Sequence, residues 1–149
     1  KDAQKEIARL VSVFRENTIA QTDAIWNHGR PGNAFATKSS RAFQKLVQQY
    51  GDAGRDAFAI LMTDLRPDVR VTAAAYLLRY RHKEAMQVLR QGASQLKGMT
   101  GFEAGEAIKR WNEGVWQLDP ETPAPTVKVS EPRRRAGSAR PASRRAKPR

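Results

Sequence analysis

The distribution of proline constrains this chain more than any other feature, because it separates a part that can form helices from a part that cannot. Pro31 and Pro67 precede residue 119, whereas the other six prolines are Pro120, Pro123, Pro125, Pro132, Pro141 and Pro148. Proline removes a backbone hydrogen-bond donor and clashes with the preceding helical turn. The late segment also holds few apolar residues, so burial cannot offset its conformational entropy. We therefore predict a helical domain at residues 1–119 and a disordered Pro/Arg-rich basic tail at residues 120–149.

The first 119 residues carry apolar side chains at three- and four-residue steps, as at Ile7, Leu10 and Phe14. This is the spacing of amphipathic helices. Helices are predicted at residues 3–27, 34–50, 53–63, 68–80, 84–96 and 102–116. Short connections between successive helices favour antiparallel neighbours. The prediction is an all-α fold of about five to six helices in stacked antiparallel hairpins.

Glycine and proline mark the ends of these helices. Two glycines and a proline within residues 28–33 disfavour helix, and Gly51 suits the position just after a helix end. Pro67 suits the first turn of a new helix. The last predicted helix places Phe102 and Trp111 in its apolar set, together with Ala107, Ile108, Val115 and Trp116.

The central segment from Asp64 to Leu78, with sequence DLRPDVRVTAAAYLL, resembles a HEAT repeat. The pattern consists of a turn with Asp and Pro, then Val-Arg, then small residues, then Leu. Small residues at 73–75 allow close helix approach, which supports the pattern on physical grounds. The resemblance implies that Arg70 ties a neighbouring turn through Asp64 or Asp68. The alternative is a coincidental amphipathic hairpin.

Residues 7–118 also resemble a family of short bacterial HEAT-like proteins of unassigned function. Three motifs carry the resemblance: Leu10-Val11-x-x-Phe14, Val69-Arg70-x-x-Ala73-Ala74 and Trp111-x-x-Gly114-x-Trp116. Some members are thought to be immunity proteins that neutralise toxins, so the resemblance implies protein binding. The basic tail and the segment Gly29-Arg30-Pro31-Gly32 depart from the family pattern.

Residues suited to catalysis are few and scattered. The chain has no cysteine, and its two histidines, His28 and His82, fall in predicted polar connections. Catalysis needs a nucleophile or an acid–base pair within hydrogen-bond reach, and no motif of that kind is present. Glu103, Glu106 and Glu113 fit a solvated face better than a pair of catalytic acids. We predict a protein that is not an enzyme and has no cofactor; an analogy with helical-repeat glycosylases is the weak alternative.

Positive charge is concentrated at the end of the chain. The net charge is +12, of which residues 131–149 contribute +7. The eight cations of the tail are Arg133, Arg134, Arg135, Arg140, Arg144, Arg145, Lys147 and Arg149. A flexible cationic segment can neutralise phosphates without fixed geometry, so the tail is a candidate polyanion-binding segment. A solubilising extension is the alternative.

The body offers its own candidate contact residues, which are Trp26, Arg66, Arg70, Arg79, Arg81 and Trp116. Tryptophan is a frequent interface anchor, and the arginines could steer an acidic partner. The alternatives are core packing for the tryptophans and an ordinary solvated surface for the arginines.

These observations favour a non-catalytic protein-binding module with an acidic or neutral protein partner, and the family resemblance implies an immunity protein. No apolar stretch approaches the roughly 20 residues of a spanning helix, so a cytoplasmic location and no membrane contact are expected. The alternative function is nucleic-acid binding through the tail and the basic helical face.

Overall fold

The computed structural model describes residues 2–28, 33–120 and 125–127, with the side chains of residues 26–28 and 33 excepted. Its elements are α1 (Asp2–His28), α2 (Asn33–Phe58), a 3₁₀ segment (Ala59–Thr63), α3 (Pro67–Tyr76), α4 (His82–Gln95) and α5 (Gly98–Asn112). The described part of the chain contains five α-helices and no strand. The predicted all-α fold is therefore confirmed.

Helix boundaries differ from prediction mainly where glycine adopts a positive φ. Gly51 (φ +57°) does not end α2 but kinks it, and the helix resumes to Phe58. Gly98 (φ +75°) starts α5 four residues earlier than predicted, and Gly114 (φ +77°) follows its end at Asn112. Glycine adopts a positive φ at no steric cost, whereas a residue with a Cβ would be strained there.

Helices pair in antiparallel fashion in two places. Between α1 and α2, the Ser39 hydroxyl donates to the Phe14 carbonyl, and Lys45 lies 3.8 Å from Glu6. Between α4 and α5, Gly92 packs on Ala104 and the His82 ring lies 5.0 Å from that of Trp111. Helix α3 contacts α1, α4 and α5. It therefore links the two pairs.

The core is centred on four aromatic rings from three helices. Phe14 of α1 and Phe43 of α2 each contact Phe58, which lies beyond the kink, with centroids 4.7 and 4.8 Å apart. Tyr76 of α3 contacts both Phe14 and Phe43. Edge-to-face pairs add to the stabilisation from apolar burial. The kink at Gly51 thus sends Phe58 back into the core.

Residues that follow α5 pack against the body. The Trp116 indole N–H donates to the Ala75 carbonyl at 2.8 Å. Asp119 is only 2% exposed, and its carboxylate accepts hydrogen bonds from Arg55 Nε and Nη2 at 2.8 and 2.9 Å. Arg79 Nε donates to the Asp119 carbonyl. These contacts fasten the segment to α2 and to the end of α3.

The kink in α2 also creates acceptors for a later segment. The backbone N–H groups of Thr126 and Val127 donate to the carbonyls of Gln48 and Gln49 at 3.1 and 2.8 Å. Those carbonyls are free for such donors because the helical hydrogen-bond ladder is interrupted near Gly51. Contacts of the body therefore continue past the predicted boundary at residue 119. The rest of the predicted tail, residues 121–124 and 128–149, lies outside the described residues.

Candidate binding cleft

A cleft of about 360 Å³ lies between α1, α3 and the first turn of α5. This volume is within the range of sites that hold small ligands or side chains. The lining residues are Thr18, Gln21, Thr22, Ile25, Thr72, Lys97, Gly98, Met99, Thr100 and Glu103. Four threonines and a glutamine supply hydrogen-bonding groups, whereas Ile25 and Met99 supply apolar surface.

Glycines shape the α5 wall of the cleft. Lys97 precedes the helix with extended backbone, and Gly98 turns the chain at φ +75°. A Cβ at residue 101 would lie 2.0 Å from the Leu96 carbonyl oxygen, a separation no carbon tolerates. Glycine at 101 therefore lets the chain fold tightly onto the start of α5. This close approach sets the position of Met99 and Glu103 at the cleft.

The cleft is lined by one carboxyl group, that of Glu103, and by one cation, Lys97, whereas Asp68 is not a lining residue but acts on Glu103 through its charge. Burial opposes the charge of Asp68, but hydrogen bonds from Arg66 and Thr22 outweigh it and lower the pKa of Asp68. Glu103 is exposed as a residue, yet partial withdrawal of its carboxyl from water, reinforced by the charge of Asp68, raises the pKa of Glu103. Asp68 is thus compensated within the fold, while Glu103 is not.

An exposed apolar pair lies beside the cleft on α5: Met99 lines the cleft, and Phe102, which is not a lining residue, is its neighbour on the helix. Met99 is 53% exposed and Phe102 is 63% exposed, three residues apart on α5 and therefore neighbours on the helix surface. Sequence analysis placed Phe102 in the apolar set of the last helix, and burial of this ring is not observed. Because α5 begins at Gly98, buried positions fall on Gly101 and Ala104 instead. We call Met99 and Phe102 the apolar rim.

Two of the predicted contact arginines lie at the start of α3. Arg66 donates from Nε and Nη2 to the two carboxylate oxygens of Asp68, both at 3.0 Å. Arg70 donates to the backbone carbonyls of Asp64 and Leu65. The implied tie from Arg70 to the turn is therefore present, but it uses carbonyl groups and not an aspartate side chain. The Asp64 carboxylate instead accepts from Arg15 of α1.

The other two predicted arginines lie at the opposite end of α3. Arg79 bonds the Asp119 carbonyl, and Arg81 donates to Asp56 and Glu84 at 2.9 and 3.2 Å. The structure therefore does not bring the four arginines to one surface. Each of them bonds to a group of the chain itself.

The predicted tryptophan contacts also separate. Trp116 lies beyond α5, half-buried, with its ring 5.3 Å from that of Trp111. Trp26 belongs to α1 directly after Ile25 of the cleft, but its side chain lies outside the described residues. The eight tail cations, Arg133, Arg134, Arg135, Arg140, Arg144, Arg145, Lys147 and Arg149, also lie outside them.

The cleft was not predicted from sequence, because its walls come from segments about 75 residues apart. The signal that could have indicated it is the pair Gly98 and Gly101 next to Met99 and Phe102. Threonine hydroxyls, the Glu103 carboxyl and the Lys97 amine line it, but the lining includes neither a histidine nor a cysteine.

Among the described residues, no group of three or more His, Cys, Asp or Glu side chains is placed to hold a metal ion. No described helix is both long and apolar enough to cross a membrane.

Comparison with known proteins found no matching family model, curated protein or solved structure.

Proposed function

We propose that this chain is a non-catalytic, HEAT-like protein-binding module and that the cleft with its apolar rim is where the partner binds. The observation that carries the proposal is the exposure of Met99 and Phe102 beside a cleft lined with hydrogen-bonding groups. Protein interfaces combine an apolar centre with polar groups around it. Large exposed apolar side chains at such a position are removed from water when a partner covers them, and this burial favours binding.

The partner proposed is a protein that is acidic or neutral overall, met in the cytoplasm, and a toxin neutralised by this chain is the specific case. The net charge of +12 favours long-range attraction of an acidic partner. An immunity protein acts by occupying its toxin, so binding alone suffices for the function. The lining of the cleft, which holds neither a histidine nor a cysteine, is compatible with that role.

Co-purification with the product of the neighbouring gene tests the proposal. The double variant Met99→Ser, Phe102→Ser should weaken binding at least about 10-fold, since loss of an interface anchor commonly costs more than 1 kcal/mol. Val115→Ser is the matched control, because Val115 is also exposed but lies outside the cleft. Equal binding by all three chains would remove the cleft from the interface, and no toxin neutralisation would remove the immunity role.

A specific surface favours a second candidate function, nucleic-acid binding. The contact between His82 and Trp111 joins the start of α4 to the end of α5. Exposed Lys83, Lys109 and Arg110 flank this contact, and none has an acidic side chain within 4 Å among the described residues. Cations that are not paired internally are available to phosphates.

Binding of a DNA duplex across a salt series tests this second candidate. Three chains should be compared: the unmodified chain, Lys83→Gln with Arg110→Gln, and a chain whose eight tail cations are glutamine. If the surface binds phosphates, the first variant reduces both affinity and the slope against salt concentration. Weak, salt-insensitive binding by all three chains would exclude nucleic-acid binding.

A further inference from the structure

Glu103 differs from three carboxylates that are paired within the fold. Asp64, Asp68 and Asp119 each accept hydrogen bonds from an arginine side chain. No cationic side chain of the described residues lies within 4 Å of the Glu103 carboxylate, Lys97 of the same cleft included, and the like charge of Asp68 opposes its ionisation. A carboxylate partly withdrawn from water and left without a counter-ion lowers the stability of the chain.

The surroundings of Glu103 suit the end of one long polar side chain. Hydroxyl groups of Thr22, Thr72 and Thr100 line the same cleft and can accept hydrogen bonds from a donor that enters it. Lysine and arginine combine an aliphatic stem with a terminal group that only donates. The apolar rim contacts stems of this kind, while the carboxylate compensates the charged end.

We infer that the cleft receives a basic side chain, lysine or arginine, of the bound protein, with the Glu103 carboxylate as its counter-ion and the apolar rim against its stem. This inference rests on the proposed function, because the side chain is part of the protein partner. The inference concerns only the side chain that enters the cleft. A partner that is acidic overall can still present a single basic residue there.

The raised pKa of Glu103 agrees with this assignment. A cation in the cleft stabilises the ionised carboxyl, so binding should lower the pKa of Glu103 and weaken when that group is protonated. A neutral occupant would instead bind more tightly when Glu103 is protonated. The pH dependence of binding therefore reports on the charge of the occupant.

Amide NMR of the ¹⁵N-labelled full chain tests the inference with two short peptides. The probe is acetyl-Leu-Arg-Leu-amide, and the matched neutral peptide replaces arginine with norleucine. Saturable shifts in residues 18–25 and 97–103 are expected with the arginine peptide, at a dissociation constant on the order of 1 mM. The norleucine peptide should bind at least about 10-fold more weakly, since charge-assisted hydrogen bonds are the stronger kind.

Glu103→Gln should weaken binding of the arginine peptide about 10-fold, because it removes the counter-charge while retaining the side-chain shape. Glu106→Gln is the control, because it removes the same charge from α5 at a position that does not line the cleft. Equal affinity for both peptides, an unchanged affinity in Glu103→Gln, or shifts confined to other surfaces would overturn the inference.

The outcome is separable from the proposed function. If the partner protein binds through Met99 and Phe102 but Glu103→Gln has no effect on either ligand, the assignment of a basic side chain fails alone. If substitution of the apolar rim leaves partner binding unchanged, the proposed binding site itself fails.

Discussion

Replacement of Asp119 by alanine should destabilise the chain strongly, because it leaves a buried guanidinium without its main partner. The Arg55 side chain is 7% exposed and gives two hydrogen bonds, of 2.8 and 2.9 Å, to the Asp119 carboxylate. Burial opposes the charge of Arg55, but the hydrogen bonds that Arg55 donates to Asp119 and Asp52 outweigh this effect and raise the pKa of Arg55. The arginine therefore stays charged in the variant.

The expected magnitude follows from what remains around Arg55. Removal of one partner from a buried pair costs roughly 3–5 kcal/mol. We expect about 3 kcal/mol, at the lower end of that range, because Asp52 still accepts from Arg55 Nη1 at 2.9 Å. For a chain of this size that corresponds to a fall of roughly 10 °C in the unfolding midpoint.

Urea unfolding followed by circular dichroism measures the effect. Asp52→Ala is the control, since Asp52 is 54% exposed and accepts one hydrogen bond from Arg55, whereas the buried Asp119 accepts two; its removal should therefore cost less. Replacement of both members, Arg55→Met with Asp119→Ala, should recover part of the loss because the buried guanidinium that lost the Asp119 carboxylate is then absent as well. A cost for Asp119→Ala no larger than that of Asp52→Ala would refute the reasoning.

Three further predictions concern α5 and the turn before α3. Gly101→Ala should cost at least about 2 kcal/mol, because its Cβ would overlap the Leu96 carbonyl. Gly105→Ala, which meets nothing within 4 Å, should instead raise stability slightly in the same denaturant assay. Glu103→Gln should raise the thermal midpoint at pH 7, because the raised pKa of Glu103 means that the folded state disfavours the ionised carboxyl. This increase in the midpoint should disappear at low pH, where the Glu103 carboxyl of the wild-type chain is protonated. The pKa of Asp64 is lowered, chiefly by the hydrogen bond from Arg15. The ionised carboxylate therefore stabilises the fold at any pH above the pKa of Asp64 in the unfolded chain. This contribution is lost as the pH falls through the lower pKa of the folded chain. The difference in stability between wild type and Asp64→Asn should therefore shrink below about pH 4, and a constant difference would contradict this account.

Helix periodicity was sufficient to predict most of the fold. The stripe through Ile7, Leu10 and Phe14 identifies the buried face of α1, and all three residues are buried in the structure. Pro67 begins α3 as the sequence indicates. These are local signals, because each depends on residues within one or two helical turns.

The errors arise where a residue's role depends on a distant contact. Gly51 has the same local appearance whether it ends a helix or kinks one, and the core contacts of Phe58 determine the outcome. Asp119 lies at the edge of the Pro-rich segment, and nothing nearby in sequence indicates that Arg55 will bury it. Likewise, the exposure of Phe102 follows from where α5 begins.

The candidate site was beyond sequence analysis for the same reason. Arginines near α3 looked available for a partner, but their acceptors, such as Asp68 for Arg66 and Asp56 for Arg81, become evident only in the folded chain. Glu103, which has no cationic side chain within 4 Å in the described part of the chain, has the sequence pattern of an ordinary solvated face. The two cases differ in whether the fold brings an oppositely charged side chain into contact, either from a nearby residue, as for Arg66 and Asp68, or from a distant one, as for Arg81 and Asp56.

Hydrogen–deuterium exchange on the free chain and on its complex with the co-purifying partner tests the central claim most directly. We predict slower exchange on binding in residues 17–25 of α1 and 98–104 of α5, which form two walls of the cleft, with little change along α2. Slower exchange confined to α2, or to the start of α4 and the end of α5, with exchange in the cleft segments unchanged, would contradict the claim that the partner binds at the cleft.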